Sequence, residues 1–301
     1  MNLISIFDLT HADLEGIIER GEELKRERKT LKTRNELEGK TLALIFEKPS
    51  TRTRVSFEVA MHELGGNVIS LNWNELQLGR GERIRDTAKV LSSYVDAVMI
   101  RAYQHDTVVE FAKHASVPVI NGLTDFEHPC QTLADLLTIK EYKKTFAGVT
   151  VAWIGDGNNV CNSLIGGAAL TGMHMRVGCP TGYAPAEEVV EKARKMGCEV
   201  VITELAEDAA VDADVLYTDV WVSMGDEHER ERRKRDLRMY QLNEDLVKVA
   251  REEAILMHCM PVHVGEEITE GVMNSKNSVI FEQAENRLHA QKALLLRLFT
   301  N

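Results

Sequence analysis

Residues 39–64, which read GKTLALIFEKPSTRTRVSFEVAMHEL, are the stretch that decides the fold class. The apolar run from Thr41 to Phe46 has the length and composition of a buried strand. The segment that begins at Thr51 repeats apolar residues at helical spacing, and a short polar loop separates it from the strand. A buried strand that leads directly into an amphipathic helix is the repeating unit of parallel α/β sheets.

The same unit recurs along the chain. Helical spacing predicts helices at about residues 11–29, 51–64, 82–93, 104–114, 131–143, 159–171, 185–196, 243–252 and 285–299. Short apolar runs predict strands at about residues 41–46, 67–71, 96–100, 117–120, 149–154, 175–178, 199–202, 214–217 and 255–257. Residues 148–154 (GVTVAWI) also resemble residues 39–45 (GKTLALI), so the second strand series starts as the first does. We therefore predict an α/β protein with two doubly wound parallel-sheet domains.

A polar break in this alternation, at Lys143, Lys144 and Gly148, predicts the domain boundary. We expect a first domain at residues 1–143, a second at residues 144–284, and a C-terminal helix at residues 285–301 that packs back on the first domain. In open α/β sheets ligands bind beyond the carboxyl ends of the strands. The polar loops at those ends are therefore expected to line an active-site cleft between the domains.

Composition narrows the function. The 301 residues include 36 Lys and Arg against 47 Asp and Glu, and the resulting charge of −11 argues against nucleic acid or an anionic membrane as a partner. The cysteines are odd in number and form no C-x-x-C pair, which fits a reducing compartment and offers no zinc-ligand spacing. They are Cys130, Cys161, Cys179, Cys198 and Cys259. We expect a cytoplasmic protein with small-molecule substrates, no cofactor and no metal.

The loop at residues 47–54 is a candidate anion site. Ser50 or Thr51 can cap the helix that follows, and the amide groups of its first turn then remain available to an anion. Arg52 and Arg54 oppose the helix dipole at this end, so each needs either a neighbouring glutamate or an anionic ligand. A Walker loop is absent from the sequence, so the expected ligand is not a nucleoside triphosphate.

Two further polar positions follow other strands of the same half. We predict a loop at residues 121–127, after which His128 and Pro129 open a helix, since proline suits a first helical turn. A histidine in this place can donate a hydrogen bond as a neutral imidazole, because a helix N-terminus lowers its pKa. Arg101 directly follows another predicted strand. Arg52, Arg101 and His128 should therefore meet at one edge of the sheet.

These segments resemble the carbamoyl-phosphate signature of the aspartate and ornithine carbamoyltransferase family, on Ser50-Thr51-Arg52-Thr53-Arg54, Arg101 and His128-Pro129-Cys130-Gln131. The resemblance implies that the phosphate is held by Ser50, Thr51, Arg52 and Thr53. It implies that the carbamoyl end is bound by Arg52, Arg101, His128 and Gln131. The other residues that it assigns to carbamoyl phosphate are Pro129, Cys130, Cys259, Met260, Arg287 and Gln77. Positioned cations and donors of this kind can neutralise a leaving phosphate and stabilise a tetrahedral intermediate without covalent catalysis.

The second half of the chain carries the features of the acceptor side. Residues 155–159 (GDGNN) follow a predicted strand, but Val160 stands where a dinucleotide fingerprint has its third glycine, which disfavours a dehydrogenase. This segment and residues 219–225 (DVWVSMG) resemble the ornithine-specific members of the family. The resemblance implies an ornithine-binding set of Asn159, Asp219, Ser223 and Met224. Asn158 is left as the cap of the helix, Trp221 is equally compatible with core packing, and residues 226–238 are expected to form a solvated helix or a mobile loop.

Residues 258–261 (HCMP) resemble the H-C-L-P segment of the family, with Met260 in place of the commoner leucine. The side-chain amine of ornithine should titrate near about 10.4, so it must lose a proton before it attacks the carbamoyl carbon. The resemblance implies that Cys259, together with Asp219, orients and deprotonates this amine. The catalytic set that it implies is Arg52, Arg101, His128, Asp219 and Cys259.

The closing family segment is matched by residues 282–287 (EQAENR), in which Arg287 is expected to return to carbamoyl phosphate. Gln77 matches a position that family members lend to the active site of a neighbouring subunit, which implies a homotrimer or an assembly of trimers. One position departs from the family pattern, because Val264 stands where bacterial relatives often carry an arginine. The contact of that arginine is therefore not expected here.

The reaction implied by the resemblance is carbamoyl transfer from carbamoyl phosphate to L-ornithine, giving L-citrulline and phosphate. Two alternatives remain open. A relative that carbamoylates another amine, such as putrescine, would not need contacts from Asn159 and Ser223 to an α-carboxylate-bearing head. A non-catalytic binding or scaffold member would not need Arg52, His128 and Cys259, which are all present.

Overall fold

The computed structural model describes residues 1–30, 34–222 and 227–299. The chain forms two compact units, one made of Met1–Leu137 and Glu285–Asn301 and the other of Thr138–Ala284. The division lies six residues before the boundary predicted at 143/144, and it falls inside a helix instead of at the polar break.

The elements alternate as the sequence predicts. The helices are α1 (His11–Arg28), α2 (Thr51–Glu63), α3 (Ile84–Leu91), α4 (His105–His114), α5 (Pro129–Lys143), α6 (Asn159–Thr171), α7 (Glu187–Lys195), α8 (Ala206–Ala210), α9 (Arg230–Leu237), α10 (Glu244–Val249), α11 (Glu270–Met273) and α12 (Ile280–Phe299). The strands are β1 (Thr41–Phe46), β2 (Asn67–Asn72), β3 (Ala97–Arg101), β4 (Val119–Leu123), β5 (Thr150–Ile154), β6 (His174–Gly178), β7 (Val200–Thr203), β8 (Val215–Thr218) and β9 (Ile255–His258).

Both sheets are parallel and doubly wound, which confirms the predicted fold class. The first has the strand order β2-β1-β3-β4 and the second the order β7-β6-β5-β8-β9. In each sheet the first strand lies between strands reached by opposite crossovers, so a topological switch point falls between β1 and β3 and another between β5 and β8. Loops diverge at a switch point and leave a crevice beyond the strand ends.

The burial of the central strands explains why they appear in the sequence as apolar runs. β3 and β5 are buried along their whole length, and only Thr41 of β1 is partly exposed. Strands covered on both faces read as continuous apolar runs. The helices contribute the other side of each core, and in the second unit Trp153 and Tyr217 pack as a tilted ring pair with centroids 4.9 Å apart.

The loop predicted at residues 121–127 is partly wrong, because β4 continues to Leu123. The N-terminal segment explains the extension. Asn121 lies in the strand and not in a turn. Its backbone N–H donates to the carbonyl of Leu3 at 2.8 Å, and its side-chain amide donates to the carbonyl of Ile4 at 2.9 Å. Hydrogen bonds to the distant N-terminal segment therefore hold Asn121 in the strand, although asparagine by itself favours turns.

Smaller differences lie at element ends. α5 begins at Pro129 and α12 at Ile280, two and five residues before the predicted starts. The short helices α8 and α11 were not predicted, and the charge run is partly helical as α9, one of the two forms expected for it. Among the described residues no helix combines the length and the apolarity needed to cross a membrane.

Candidate active site

The start of α2 has the capped geometry that the sequence predicts for this loop. Ser50 is the N-cap, and its hydroxyl accepts the N–H of Thr53 at 3.2 Å. Arg54 is exposed and pairs with Glu58 at 3.3 Å, so for this arginine the purely structural interpretation is correct. Arg52 has no carboxylate partner within residues 1–30, 34–222 and 227–299. A cation at a helix N-terminus without a compensating carboxylate favours an anionic ligand.

The ends of β1 and β3 lie side by side at the first switch point. Phe46 and Arg101 are partners in the parallel register, and the N–H of Glu47 donates to the carbonyl of Arg101 at 2.9 Å. Arg101 is the last residue of β3 and is 6% exposed. The loop that leads into α2 therefore starts directly beside this arginine.

His128 lies among three guanidinium groups. Its pKa is held well below 6.5, first by burial and then by the positive charges of Arg287, Arg101 and Arg52. The sequence predicted the direction but gave a helix N-terminus as the cause, and burial and the arginines account for it instead. His128 is therefore neutral at pH 7, and its imidazole can donate one hydrogen bond without adding a charge. The charges of Arg52 and Arg101 thus reach His128, in line with the prediction that the three residues lie at one edge of the sheet.

Arg287 links three helices of the first unit. It is 3% exposed and donates from Nη1 to Oε1 of Gln131 at 2.7 Å and from Nη2 to the hydroxyl of Thr53 at 3.1 Å. Gln131 in turn donates to Oδ1 of Asp135 at 2.8 Å. α12 thus places a cation between α2 and α5, beside two of the residues predicted to bind carbamoyl phosphate.

The structure also places two other predicted donor-side residues, Cys130 and Gln77. Cys130 is fully buried, its thiol donates to the carbonyl of Asn121 at 3.3 Å, and burial raises its pKa to about 12. Its side chain is therefore a packing group. Gln77 is exposed and lies outside the walls of the cavity of about 470 Å³ beside the start of α2, which Ser50 and Thr51 help to line.

The acceptor residues gather at the second switch point. Thr218, the last residue of β8, is in register with Ile154 of β5 and with His258 of β9, so the loops after these strands begin next to one another. The thiol of Cys259 donates to Oδ1 of Asp219 at 2.9 Å. Asp219 is 8% exposed. The structure therefore joins the two residues that the sequence assigned to the acceptor amine.

Asn158 and Asn159 stand at the start of α6. Asn158 is the N-cap, as predicted, and its Oδ1 accepts the N–H groups of Val160 and Cys161 at 2.9 and 3.2 Å. Its Nδ2 also donates to Oδ2 of Asp219 at 2.7 Å, a contact that the sequence did not predict. Asn159 is the first residue of the helix. Ser223 and Met224, the other two predicted ornithine-binding residues, lie outside the described residues.

Gly157 of the GDGNN segment has a packing role. A Cβ on Gly157 would lie too close to the backbone of Ala184 and Pro185, so a larger residue there forces the backbone to shift. The glycine at position 157, which makes the segment resemble a dinucleotide fingerprint, is therefore explained by the close approach of the loop after β6 to this residue.

One group of potential metal ligands overlaps the acceptor residues. Ligand atoms of Asp219, His258 and Cys259 lie within 4.8 Å of one another. However, Nε2 of His258 is bonded to Glu267 at 3.0 Å, and its Nδ1 accepts the N–H of Met260 at 2.9 Å. Both ring nitrogens of His258 are thus hydrogen-bonded within the protein, so only Asp219 and Cys259 of this group could offer a ligand atom to a metal.

A second group comprises His263, Glu266 and Glu267. Glu266 is paired with Arg230 at 3.4 Å and with Lys234 at 2.5 Å. Its charge is therefore already neutralised by the basic side chains of α9.

Comparison with known proteins matches both units. Residues 1–141 match the family model of the aspartate/ornithine carbamoyltransferase carbamoyl-P binding domain, and residues 147–298 match that of the Asp/Orn binding domain. The chain belongs to the aspartate/ornithine carbamoyltransferase family. It is accordingly a carbamoyltransferase, and the resemblance stated from its motifs is confirmed.

Relatives within this family cover nearly the whole chain. An ornithine carbamoyltransferase of Archaeoglobus fulgidus is 54% identical over 297 residues, 99% of this chain and 97% of that protein. One of Oceanobacillus iheyensis is 51% identical over 304 residues, 100% of this chain and 94% of that protein. The solved ornithine carbamoyltransferase of Pyrococcus furiosus has a TM-score of 0.96 at 51% identity and covers 100% of this chain and 97% of its own.

Two residues of this family member were missed by reasoning from the sequence. Gln283 was quoted only as part of the closing motif, yet it is fully buried, accepts the N–H of His258 at 2.8 Å and donates to the hydroxyl of Tyr217 at 2.8 Å. Asn158 was assigned only its cap. A polar residue inside an otherwise apolar helical face is the signal for Gln283, and no local signal identifies the partner of Asn158.

Proposed function

We propose that the chain transfers the carbamoyl group of carbamoyl phosphate to the side-chain amine of L-ornithine, giving L-citrulline and phosphate. The observation that carries the proposal is the convergence of Arg52, Arg101 and Arg287 on a neutral His128. Such a cluster suits a small dianion with a carbonyl group better than it suits a nucleotide or an uncharged ligand. The names of the relatives support ornithine as the acceptor.

On the donor side, the cradle at the start of α2 binds the phosphate. The hydroxyls of Ser50, Thr51 and Thr53, the amides of the first turn and the guanidinium of Arg52 supply the donors. Because Arg287 already holds Thr53, the phosphate meets a fixed hydroxyl instead of a rotating one. Neutralising the phosphate dianion makes it a better leaving group.

At the carbamoyl end, Arg101, His128 and Gln131 bind the oxygen and the amide of the reacting group. Attack on the carbamoyl carbon moves negative charge to the oxygen, and donors already aimed at that position lower the barrier. The lowered pKa of His128 matters here, because the neutral ring offers an N–H without delivering its proton to the intermediate. Pro129 is the first residue of α5, and its rigid backbone fixes the direction of the chain at the preceding His128.

On the acceptor side, Asp219 and Cys259 handle the amine. The carboxylate attracts the ammonium groups of ornithine, and the thiol, held 2.9 Å from Oδ1, lies between the carboxylate and the reacting amine. The side-chain ammonium loses a proton to the carboxylate of Asp219 by way of the Cys259 thiol, and the resulting amine attacks the carbamoyl carbon directly. The second proton of the attacking nitrogen leaves with the departing phosphate. Asn159, Ser223, Met224 and Met260 complete the contacts that we assign to the two substrates.

A ureido-product assay tests this function. We expect citrulline from ornithine and carbamoyl phosphate, and turnover of putrescine or aspartate at least about a hundredfold lower in kcat/KM, because neither presents the amino-acid head beside a long amine. Preference for putrescine would favour the second enzymatic candidate. Absence of any ureido product with pure protein would favour a non-catalytic role.

Arg52→Ala tests the donor cradle within the same assay. Loss of the Arg52 guanidinium should reduce kcat/KM by a factor of about a thousand or more while the protein stays folded. Arg20→Ala, which removes a surface arginine paired with Glu23 at 2.6 Å, serves as the control and should keep wild-type activity. Wild-type turnover by Arg52→Ala would refute the cradle assignment.

We further propose that the chain works as a homotrimer or a larger assembly of trimers, to which the exposed Gln77 contributes across subunits. Mixing Arg52→Ala with Gln77→Ala subunits tests this. If each site uses both chains, hybrids should regain part of the activity that each variant lacks alone. If the mixture recovers no activity and the protein sediments as a monomer, the proposal is contradicted.

A further inference from the structure

The side-chain amide of Asn158 has two polar edges, and the structure uses both. Its carbonyl edge caps α6 by accepting the N–H groups of Val160 and Cys161. Its amino edge donates to Oδ2 of Asp219 at 2.7 Å. A single planar group therefore fixes the start of a helix and one oxygen of a nearly buried carboxylate.

The other oxygen of Asp219 is set by different donors. Oδ1 accepts the thiol of Cys259 at 2.9 Å and the N–H of Val220 at 2.8 Å. With Oδ2 fixed by Asn158, the carboxylate cannot rotate without breaking one of these contacts. The plane of the carboxylate, and hence the oxygen that faces Cys259, is determined by the amide on the neighbouring loop.

We propose that Asn158 is a positioning residue for the acceptor step, and that it holds Asp219 so that Oδ1 is presented to Cys259. This inference rests on the proposed function of Asp219 and Cys259. An N-cap can be Asn, Asp, Ser or Thr, because each offers an oxygen to the helix. Only asparagine offers that oxygen together with a separate N–H₂ group for a carboxylate. The chemistry of the cap alone does not require an amide, whereas the contact with Asp219 does.

Substitutions at position 158 separate the two roles. Asn158→Ser keeps a good N-cap and removes the amino group, whereas Asn158→Ala removes both. We expect Asn158→Ser to melt close to the wild-type Tm and to bind carbamoyl phosphate as the wild type does. Its kcat/KM for ornithine should fall by about ten- to a hundredfold, the range for loss of one hydrogen bond to a charged group. Asn158→Ala should show the same kinetic defect with an additional loss of Tm.

A pure capping role predicts a different pattern, in which Asn158→Ser has wild-type kinetics and only Asn158→Ala is affected. That result would overturn the proposal. Failure of the proposed function would appear in the wild type, as absence of citrulline, and not in the comparison of variants.

A crystal structure of Asn158→Ser gives a readout that does not depend on activity. We expect the carboxylate of Asp219 to rotate and the separation of its Oδ1 from Sγ of Cys259 to exceed hydrogen-bond distance. An unchanged separation of 2.9 Å would refute the positioning role whatever the substrate of the enzyme is.

Discussion

Replacing His128 with asparagine should remove a pH-dependent part of the free energy of unfolding. The side chain is 4% exposed, and burial together with Arg287, Arg101 and Arg52 keeps its pKa well below 6.5. In the unfolded chain the same imidazole titrates near about 6.5. Between that pH and the lowered folded-state pKa, the unfolded state binds more protons than the folded state. Stability must therefore fall as the pH falls through this window.

The magnitude follows from the unfolded-state titration. For a histidine that stays neutral when folded, lowering the pH from 7.5 to 5.5 costs on the order of 1 kcal/mol at 25 °C. The wild type should lose this amount in addition to whatever His128→Asn loses over the same interval. Urea unfolding of both proteins at the two pH values measures the difference, and His11→Asn, which replaces an exposed histidine of α1, controls for the substitution itself.

Equal losses in the wild type and in His128→Asn would refute the reasoning. They would mean that the folded protein protonates His128 as readily as the unfolded chain does, despite three neighbouring guanidinium groups. The group that donates a hydrogen bond to the carbamoyl oxygen in the proposed reaction would then be an imidazolium, and the role of His128 would need revision. Imidazole NMR resonances followed over the same pH range give the direct check.

Three further outcomes are expected. Under native conditions iodoacetamide should modify Cys259 first, because the other four cysteines are buried; mass spectrometry that finds another thiol labelled earlier would contradict this. Gly157→Ala should lower the free energy of unfolding by about 1–3 kcal/mol, because the added methyl meets the backbone at Pro185, and denaturant titration would show it. Arg287→Lys should lose its paired contacts with Gln131 and Thr53 and raise the KM for carbamoyl phosphate about tenfold or more, and an unchanged KM would remove it from the donor side.

The sequence predicted most of the elements because the central strands are buried along nearly their whole length. A run such as residues 150–154 can be identified without knowing its neighbours, since burial on both faces demands apolar residues throughout. Asn121 shows the limit. Its preference for turns is outweighed by the hydrogen bonds that it donates to the N-terminal segment more than a hundred residues away, and no local pattern carries that information.

The candidate site was predictable to the extent that it sits at strand ends and helix starts. Arg52, Arg101 and His128 follow three different strands, and parallel strands end at one edge. Which of them become neighbours depends on strand order, which the sequence does not state. The contacts of Arg287 with Gln131 and of Asn158 with Asp219 join residues 156 and 61 positions apart. Both had to come from the structure.

The turn after β9 is held in place by a hydrogen-bond network behind Cys259. Cys259 lies between two fixed peptide groups, since the N–H of His258 donates to Gln283 and the N–H of Met260 donates to the ring of His258. The ring is itself held by the fully buried Glu267. Met260 is left with a φ of 59°, a left-handed conformation that is uncommon outside glycine and asparagine and persists only when its surroundings enforce it. A cysteine after a buried strand is by composition an inert core residue, and the polar network behind it is what turns its thiol toward a carboxylate.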